Sequence, residues 1–303
     1  MKAKIIISLL ILITSFSGEV YSKSNSKDNS EKEIGIQLYS IRSILDKYLD
    51  QKENTDLAVV LKRIANMGYS EIEAANYDNG KFYNRRPKEF KNSVERAGMK
   101  VLSSHCSKAL SEQELSSGDF SESLKWWDQC IKAHKDAGMK YIVTPWMAAP
   151  KTLKELQTYC DYYNEIGKKC KEVGILYGYH NHNHEFEKIE DKEVMLDYML
   201  EHTNPDYVFF EMDVYWTVMG KSNPVDYFNK YPGRFTLLHI KDEKEIGKSG
   251  LMDFESIFNN MDKAGCKHII VEVENYSYDV GQSLQVSIDY LKNASYVKTS
   301  YNK

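Results

Sequence analysis

Histidine and carboxylate side chains recur in this sequence at the ends of short apolar runs. In LYGYHNH, YVFFEMD, FTLLHIKD and HIIVEVE the apolar residues come first and the imidazole or carboxylate groups follow. The polar residues at such positions along the whole chain are Gln37, Glu73, His105, His180, Asn181, His182, Glu211, Asp213, His239, Lys241, Asp242, Glu272 and Glu274. One polar residue at the end of a strand is commonly a solvated or capping group. Imidazoles and carboxylates at the ends of four successive runs indicate a site.

These residue types suit one kind of chemistry if the four runs end side by side. The groups would then lie within a few ångströms of one another, where like charges and desolvation are costly unless a cation compensates them. A divalent metal ion is the simplest compensation. Such a cation stabilises the negative charge that develops on a carbonyl oxygen when a neighbouring proton is removed, and a carboxylate or histidine can take that proton.

The elements that must position these groups follow a repeated order of helix, glycine and short apolar run. The order is visible in NMGYSEIEA, RAGMKVLSS, DAGMKYIVT, EVGILYGYH and KAGCKHIIV. A glycine between a helical stretch and an apolar run is typical of a left-handed helix cap that leads into a strand. We therefore predict helix-to-strand junctions at Gly68, Gly98, Gly138, Gly174 and Gly265.

Eight apolar runs are predicted strands, and helical patterns separate all of them. They are IGIQLYS, SEIEA, KVLSSH, YIVTPW, LYGYHNH, YVFFEMD, FTLLHIKD and HIIVEVE. Strict alternation of strand and helix requires parallel pairing, and eight units over roughly 270 residues predict a single-domain (β/α)8 TIM barrel. The alternative is a doubly wound open sheet, but IGIQLYSIRS contains no GxGxxG phosphate loop after its strand. In a barrel the active site lies at the carboxyl ends of the strands.

The chain resembles the xylose-isomerase-like TIM-barrel superfamily of sugar isomerases and epimerases. The resemblance runs from about residue 34 to residue 291 and is carried by IGIQLYSIR, GYHNHNHEF, EMDVYW, LLHIKD and VEVEN at the first, fifth, sixth, seventh and eighth strands. It implies a metal-dependent enzyme acting on a sugar, with one divalent cation held by residues at strands five to eight. On this chain the matching positions at strands six to eight are Asp213, His239 and Glu272.

The fifth strand departs from the pattern of the superfamily. Relatives often have Glu-Asn-His where this chain has His180-Asn181-His182, so we expect His180 to replace a glutamate ligand. Imidazole binds Mn, Zn or Co, and the change disfavours Mg. The predicted cofactor is therefore one divalent ion, Mn, Zn or Co rather than Mg, bound by His180, Asp213, His239 and Glu272.

The same departure affects the expected mechanism. In sugar epimerases of this fold a pair of glutamate ligands on opposite faces of the substrate moves the proton, and one of that pair is missing here. The predicted catalytic residues are Glu272, Glu185 and Lys241, with Glu187 a less favoured base than Glu185. Predicted substrate contacts are His105, His182, Glu274, Trp146 and Trp216, although Lys241 could instead pair with Asp242 or Glu274 and the tryptophans could serve packing alone.

Three functions remain open on these grounds. The first is a metal-dependent sugar isomerase or epimerase that abstracts a proton next to a carbonyl. The second is a lyase or hydratase on an oxidised (3-keto) glycoside, and the third is a sugar-binding barrel without catalysis. The endonuclease branch of the superfamily would need a basic surface, whereas 40 Lys+Arg against 44 Asp+Glu give a net charge of −4. The expected partner is therefore a small sugar and not nucleic acid; a homo-oligomer remains possible.

The first residues have the three parts of a secretory signal. Lys2 and Lys4 precede the apolar run of residues 5–13, and small residues allow cleavage after Ser17 or Ser22. The run is shorter than the roughly 20 residues of a spanning helix. We therefore predict a signal peptide at 1–22, a disordered leader at 23–33 and the barrel at 34–295, in a periplasmic or secreted protein without a membrane span after cleavage. The five scattered cysteines lack CxxC spacing and are expected to be buried free thiols.

Overall fold

The computed structural model describes residues 31–49 and 56–302. The predicted signal peptide and residues 23–30 of the predicted leader lie outside the described residues. The barrel unit begins at Lys32, slightly before the predicted start, and the Glu33 backbone N–H donates to the Thr299 carbonyl at 2.8 Å. It also continues past residue 295, because Tyr301 is buried with its ring centroid 6.3 Å from that of Phe258.

Eight parallel strands form the barrel, as predicted. They are β1 Gly35–Gln37, β2 Glu71–Ala74, β3 Lys100–Ser104, β4 Tyr141–Thr144, β5 Leu176–His180, β6 Val208–Asp213, β7 Leu237–Ile240 and β8 His268–Val271. Their order in the sheet is β3-β2-β1-β8-β7-β6-β5-β4. A bridge between His105 and Val143 joins the two edges, where the Cys106 N–H donates to the Val143 carbonyl at 2.9 Å. The fold is a (β/α)8 TIM barrel.

Helices fill the connections between successive strands. The α-helices are Arg42–Leu49, Leu57–Met67, Pro87–Ala97, Glu112–Ser117, Ser121–Asp136, Leu153–Glu172, Met195–His202, Val214–Met219, Pro224–Lys230, Phe254–Asn259, Met261–Ala264 and Val280–Asn293, and 3-10 helices span Leu38–Ile41 and His184–Phe186. Two small hairpins pair Tyr77–Asp78 with Lys81–Phe82 and Lys188–Ile189 with Glu193–Val194. None of the helices in the described ranges combines the length and apolarity needed to cross a bilayer.

Glycine ends the helices at the predicted junctions. Gly68 and Gly98 have φ of 108° and 100°, in the left-handed region where a Cβ is strained. The other three predicted junction glycines also have positive φ. The strands are shorter than the apolar runs suggested, since β8 ends at Val271 and β7 at Ile240. Lys241, Glu272 and Glu274 therefore lie on the loops that leave the barrel mouth.

The barrel interior has an apolar layer below its mouth. Alternate strand residues point inward, and the buried side chains of Leu102, Tyr141, Val143, Phe209, Leu237 and Ile270 form one cluster. Gly178 makes room for the Phe209 ring, because a Cβ at residue 178 would lie 2.5 Å from that ring. The helices pack outside the barrel in a second, larger cluster. All five cysteines are buried free thiols, as predicted.

Candidate active site

Strand register brings the predicted polar residues together at one end of the barrel. His180 at the end of β5 pairs in register with Glu211 on β6, and Asp213 pairs with His239 on β7. Glu272 directly follows β8. Because these strands are parallel, their carboxyl ends meet at one mouth, which is the location of active sites in TIM barrels.

The four predicted metal ligands converge there. His180, Asp213, His239 and Glu272 each offer one ligand atom, and these atoms all lie within 4.8 Å of one another. All four residues are buried. The Asp213 Oδ2 and His239 Nδ1 atoms are buried and have no hydrogen-bond partner among the described residues, although His239 Nδ1 lies 3.5 Å from Glu272 Oε2. Buried polar atoms without a partner are costly, so this arrangement fits a cation bound between them.

A layer of two buried glutamates lies behind the histidines of this set. Glu73 on β2 approaches the His239 Nε2 atom at 2.7 Å, and Glu211 on β6 approaches the His180 Nδ1 atom at 3.2 Å. Metal-binding histidines usually donate their second ring N–H to a carboxylate, which orients the ring and makes it a better ligand. Both glutamates are among the polar residues at the ends of the predicted strands, but the sequence predicted no role for them.

Glu73 is itself held in place by neighbouring strands. Its Oε1 accepts from Gln37 Nε2 at 2.8 Å and its Oε2 accepts from Ser103 Oγ at 2.5 Å. His105 completes the layer, with its Nε2 3.1 Å from Glu73 and 2.8 Å from Glu211. Side chains on β1 and β3 therefore hold Glu73, and His105 links it to Glu211.

A second group of residues also has metal-ligand geometry. His105, His180, Glu211 and His239 offer ligand atoms within 4.8 Å of one another. Glu211 Oε2, however, already contacts His105 Nε2 at 2.8 Å and His239 Nε2 at 3.3 Å. These contacts occupy Glu211 Oε2, whereas Glu211 Oε1 is buried without a hydrogen-bond partner among the described residues, as are Asp213 Oδ2 and His239 Nδ1 in the predicted set.

Burial and charge shift the pKa values of these groups in opposite directions. Burial raises the pKa of Asp213 to about 7, against the opposing effect of Lys241. Burial alone would lower the pKa of His105, but Glu73 and Glu211 raise it to about 10. Burial lowers the pKa of His180 well below its usual range. The site therefore contains a carboxyl group, that of Asp213, whose anionic form is poorly stabilised. It also contains a neutral imidazole, that of His180. Both groups are suited to bind a cation.

Lys241 joins the two carboxylates that follow β8. Its Nζ atom lies 2.9 Å from Glu272 Oε2 and 2.6 Å from Glu274 Oε2. Burial alone would lower the pKa of Lys241, but Glu272, Asp213 and Glu274 outweigh it and raise that pKa. Lys241 is therefore a cation that donates hydrogen bonds and does not accept a proton.

A cavity of about 330 Å³ opens above this group. It is lined by Tyr39, Ala75, His105, Pro145, Trp146, His180, His182, Glu272 and Glu274. A volume of this size suits a small organic ligand. A larger cavity of about 620 Å³ lies along residues 148–155 and contains none of the predicted site residues.

Three predicted site residues differ in how they lie relative to the cavity. Trp146 is 53% exposed on the cavity rim. The Trp216 ring lies 5.7 Å from that of His182, beside the cavity and not among its lining residues. Glu185 does not reach the cavity: it is fully buried, with Oε1 accepting from Tyr179 Oη at 2.7 Å and Oε2 accepting from the His182 N–H at 2.8 Å.

The chain matches a known class of protein. The family model described as Xylose isomerase-like TIM barrel matches residues 61–294, and the chain belongs to that family. Members of the family include sugar isomerases, epimerases and a dehydratase.

Individual relatives differ in their chemistry. A solved structure of a sugar phosphate isomerase/epimerase from Parabacteroides distasonis ATCC 8503 is 35% identical, with a TM-score of 0.79 over 88% of this chain and all of that one. Inosose dehydratase from Geobacillus kaustophilus (strain HTA426) is 22% identical over 217 residues, which are 65% of this chain and 67% of that protein. The IOLI protein, solved with a zinc atom, shares the fold at 14% identity, with a TM-score of 0.65 over 85% of this chain and 95% of that one.

Proposed function

We propose that this protein is a metal-dependent sugar isomerase or epimerase that removes a proton next to a carbonyl of a sugar or sugar derivative. The observation that carries the proposal is the pair of buried, unpartnered ligand atoms, Asp213 Oδ2 and His239 Nδ1, beside two residues that line the cavity, His180 and Glu272. The presence of zinc in the IOLI structure supports a cation in a barrel of this kind.

In this proposal one divalent cation is held by His180, Asp213, His239 and Glu272. Two imidazoles and two carboxylates are donors that suit Zn, Mn or Co better than Mg. A bound cation supplies Lewis acidity, which favours negative charge on a carbonyl oxygen. Glu73 and Glu211 orient the two imidazoles from behind.

Glu272 is the proposed proton acceptor, with Glu274 as the alternative. Both carboxylates line the cavity and both contact the Lys241 ammonium group. Burial alone would raise the pKa of Glu272, but Lys241 and His239 hold it well below the usual range, so the group is ionised, as a proton acceptor must be. Lys241 also donates to an oxygen of the substrate in this proposal.

His182 faces the same cavity from the loop that follows β5. Burial lowers its pKa to about 4, so its imidazole is neutral at pH 7 and can exchange a proton or bind a hydroxyl group. Glu185 accepts from the His182 backbone N–H at 2.8 Å. We therefore assign Glu185 the role of holding this loop and not that of a base.

The test combines metal analysis with solvent deuterium exchange. Protein loaded separately with Zn, Mn or Co should retain one ion per chain, and the active form should incorporate deuterium at carbon in a keto or aldo sugar that it binds. Glu272→Gln should reduce turnover by about 100-fold or more, and its metal content is measured at the same time because Glu272 is also a proposed ligand. Glu185→Gln, the comparison variant, should retain most of the turnover if its protein remains folded. The proposal fails if a metal-loaded protein binds sugars but exchanges none of their carbon-bound protons.

A lyase or dehydratase reaction is the second candidate function. It is favoured by the similarity to inosose dehydratase, although that similarity covers only part of each chain. Proton abstraction next to a carbonyl is common to both reactions, and a dehydratase then expels a hydroxyl group from the neighbouring carbon. An oxidised (3-keto) glycoside could lose its aglycone in the same way. The exchange experiment separates these outcomes, because a lyase releases water or aglycone whereas an isomerase leaves the atoms of the sugar together.

A further inference from the structure

Carboxylates border the cavity. Among the described residues that line it there is no lysine or arginine, whereas the Glu272 and Glu274 carboxylates both border it. Asp213, Glu211 and Glu73 lie buried behind this wall. A phosphate monoester carries a charge of about −1.5 to −2 at pH 7 and is usually bound by arginine, lysine or backbone N–H groups.

Two basic side chains near the cavity have partners within the described part of the protein. The Lys241 Nζ atom contacts the Glu272 and Glu274 carboxylates at 2.9 and 2.6 Å, and Lys241 is 2% exposed. Arg42 donates to the Glu274 carbonyl at 2.8 Å and to the Tyr39 carbonyl at 3.2 Å. The two carboxylates balance the charge of Lys241, and Arg42, whose hydrogen bonds go to carbonyl oxygens, is not among the residues that line the cavity.

The groups that remain available suit hydroxyls and the apolar face of a sugar ring. His182 lines the cavity, and its Nδ1 atom is buried without a partner among the described residues. The rings of Tyr39 and Trp146 are 43% and 53% exposed at the rim. The ring nitrogen of His182 can hydrogen-bond a hydroxyl group, and the aromatic faces can pack against the apolar face of a polyol, without any charge on the ligand.

We infer that the substrate of this site is an uncharged sugar or glycoside and not a sugar phosphate. This inference rests on the proposed function and adds the substrate class to it. A phosphate group would bring a dianion against Glu272 and Glu274, and the described residues that line the cavity include no lysine or arginine to compensate it. The name of the Parabacteroides relative mentions a sugar phosphate, so the two chains would differ in this respect.

Matched pairs of ligands test the inference. Zinc-loaded protein is titrated calorimetrically with D-fructose and D-fructose 6-phosphate, D-ribulose and D-ribulose 5-phosphate, and methyl glucoside and its 6-phosphate. In each pair that binds, we expect the uncharged member to bind at least tenfold more tightly, which corresponds to about 1.4 kcal/mol. Equal or tighter binding of the phosphate esters would overturn the inference.

A charge variant supplies an independent measurement. Glu274→Gln removes one of the two carboxylates at Lys241, so the preference for the uncharged member should fall by at least threefold. Glu95→Gln is the matched control, because it removes the same charge from an exposed pair with Lys91 on the helix Pro87–Ala97. The inference is contradicted if the two variants change the preference equally.

Deuterium exchange on the same mixtures separates this inference from the proposed function. If a bound uncharged sugar exchanges no carbon-bound proton, the proton-abstraction proposal fails while the measured preference still supports an uncharged ligand. If the phosphate esters bind more tightly and exchange, the proposed function stands and the substrate class is wrong.

Discussion

Replacing Glu73 by glutamine should weaken metal binding without touching a proposed metal ligand. Glu73 is fully buried and lies 2.7 Å from the His239 Nε2 atom, on the opposite side of the ring from the unpartnered Nδ1. Glutamine has the same shape, and it can still pair with Gln37 and Ser103. The variant therefore removes a charge and keeps the packing.

The expected magnitude follows from the bond between Glu73 and His239, because this is the bond that acts on a proposed metal ligand. A hydrogen bond to a charged group contributes about 1.5–3 kcal/mol, against about 0.5–1.5 kcal/mol for a neutral one. The difference of about 1–1.5 kcal/mol predicts about tenfold weaker metal binding, at the lower end of the effects found for carboxylates behind metal-binding histidines. Glu73→Ala should also destabilise the fold, because it leaves Gln37 and Ser103 without their buried acceptor.

The assay is competition for zinc between the protein and a chromophoric chelator at constant pH. Glu71→Gln provides a matched control, because Glu71 lies on the same strand and accepts from His268 at 2.7 Å, at the other end of the barrel. Its zinc affinity should equal that of the unmodified protein. The reasoning is refuted if Glu73→Gln binds zinc within twofold of the unmodified protein, or if Glu71→Gln loses as much affinity.

Three further predictions concern the metal, the packing and the pH dependence. Asp213→Asn should abolish metal retention, measured by elemental analysis after dialysis, and retained metal would contradict the ligand assignment. The variant should keep the helix cap that Asp213 Oδ1 forms with the Trp216 N–H at 2.8 Å. Gly167→Ala should destabilise the protein by about 1–3 kcal/mol in urea unfolding despite the better helix propensity of alanine, because its Cβ would lie 2.2 Å from the Tyr207 carbonyl oxygen. Burial lowers the pKa of His134 to about 4, so its contribution to stability is present above about pH 6.5 and is lost as the pH falls toward 4. The stability difference between the unmodified protein and His134→Asn should therefore shift by about 2 kcal/mol between pH 7.5 and pH 5, and an unchanged difference would contradict the buried neutral state.

The sequence was sufficient to predict the barrel because its signals are local. Glycine at a helix end and the apolar run that follows depend on a few adjacent residues, and both recur along the chain. Strict alternation of strand and helix then restricts the topology to parallel sheets. The same logic placed His180, Asp213, His239 and Glu272 at one mouth, because parallel strands bring their carboxyl ends together. The export signal at residues 1–22 stays a prediction.

Only the tertiary structure decided how the polar residues are paired. Glu73 and His239 are 166 positions apart, and their contact depends on the closure of the barrel. Glu185 lies close in sequence to the fifth strand, but the 3-10 helix His184–Phe186 turns its carboxylate toward Tyr179 and away from the cavity. Lys241 could have been a free cation at the mouth until the loops after β7 and β8 placed it between two carboxylates. Contact, burial and charge compensation depend on which side chains meet across the barrel, and a local pattern contains no information about that.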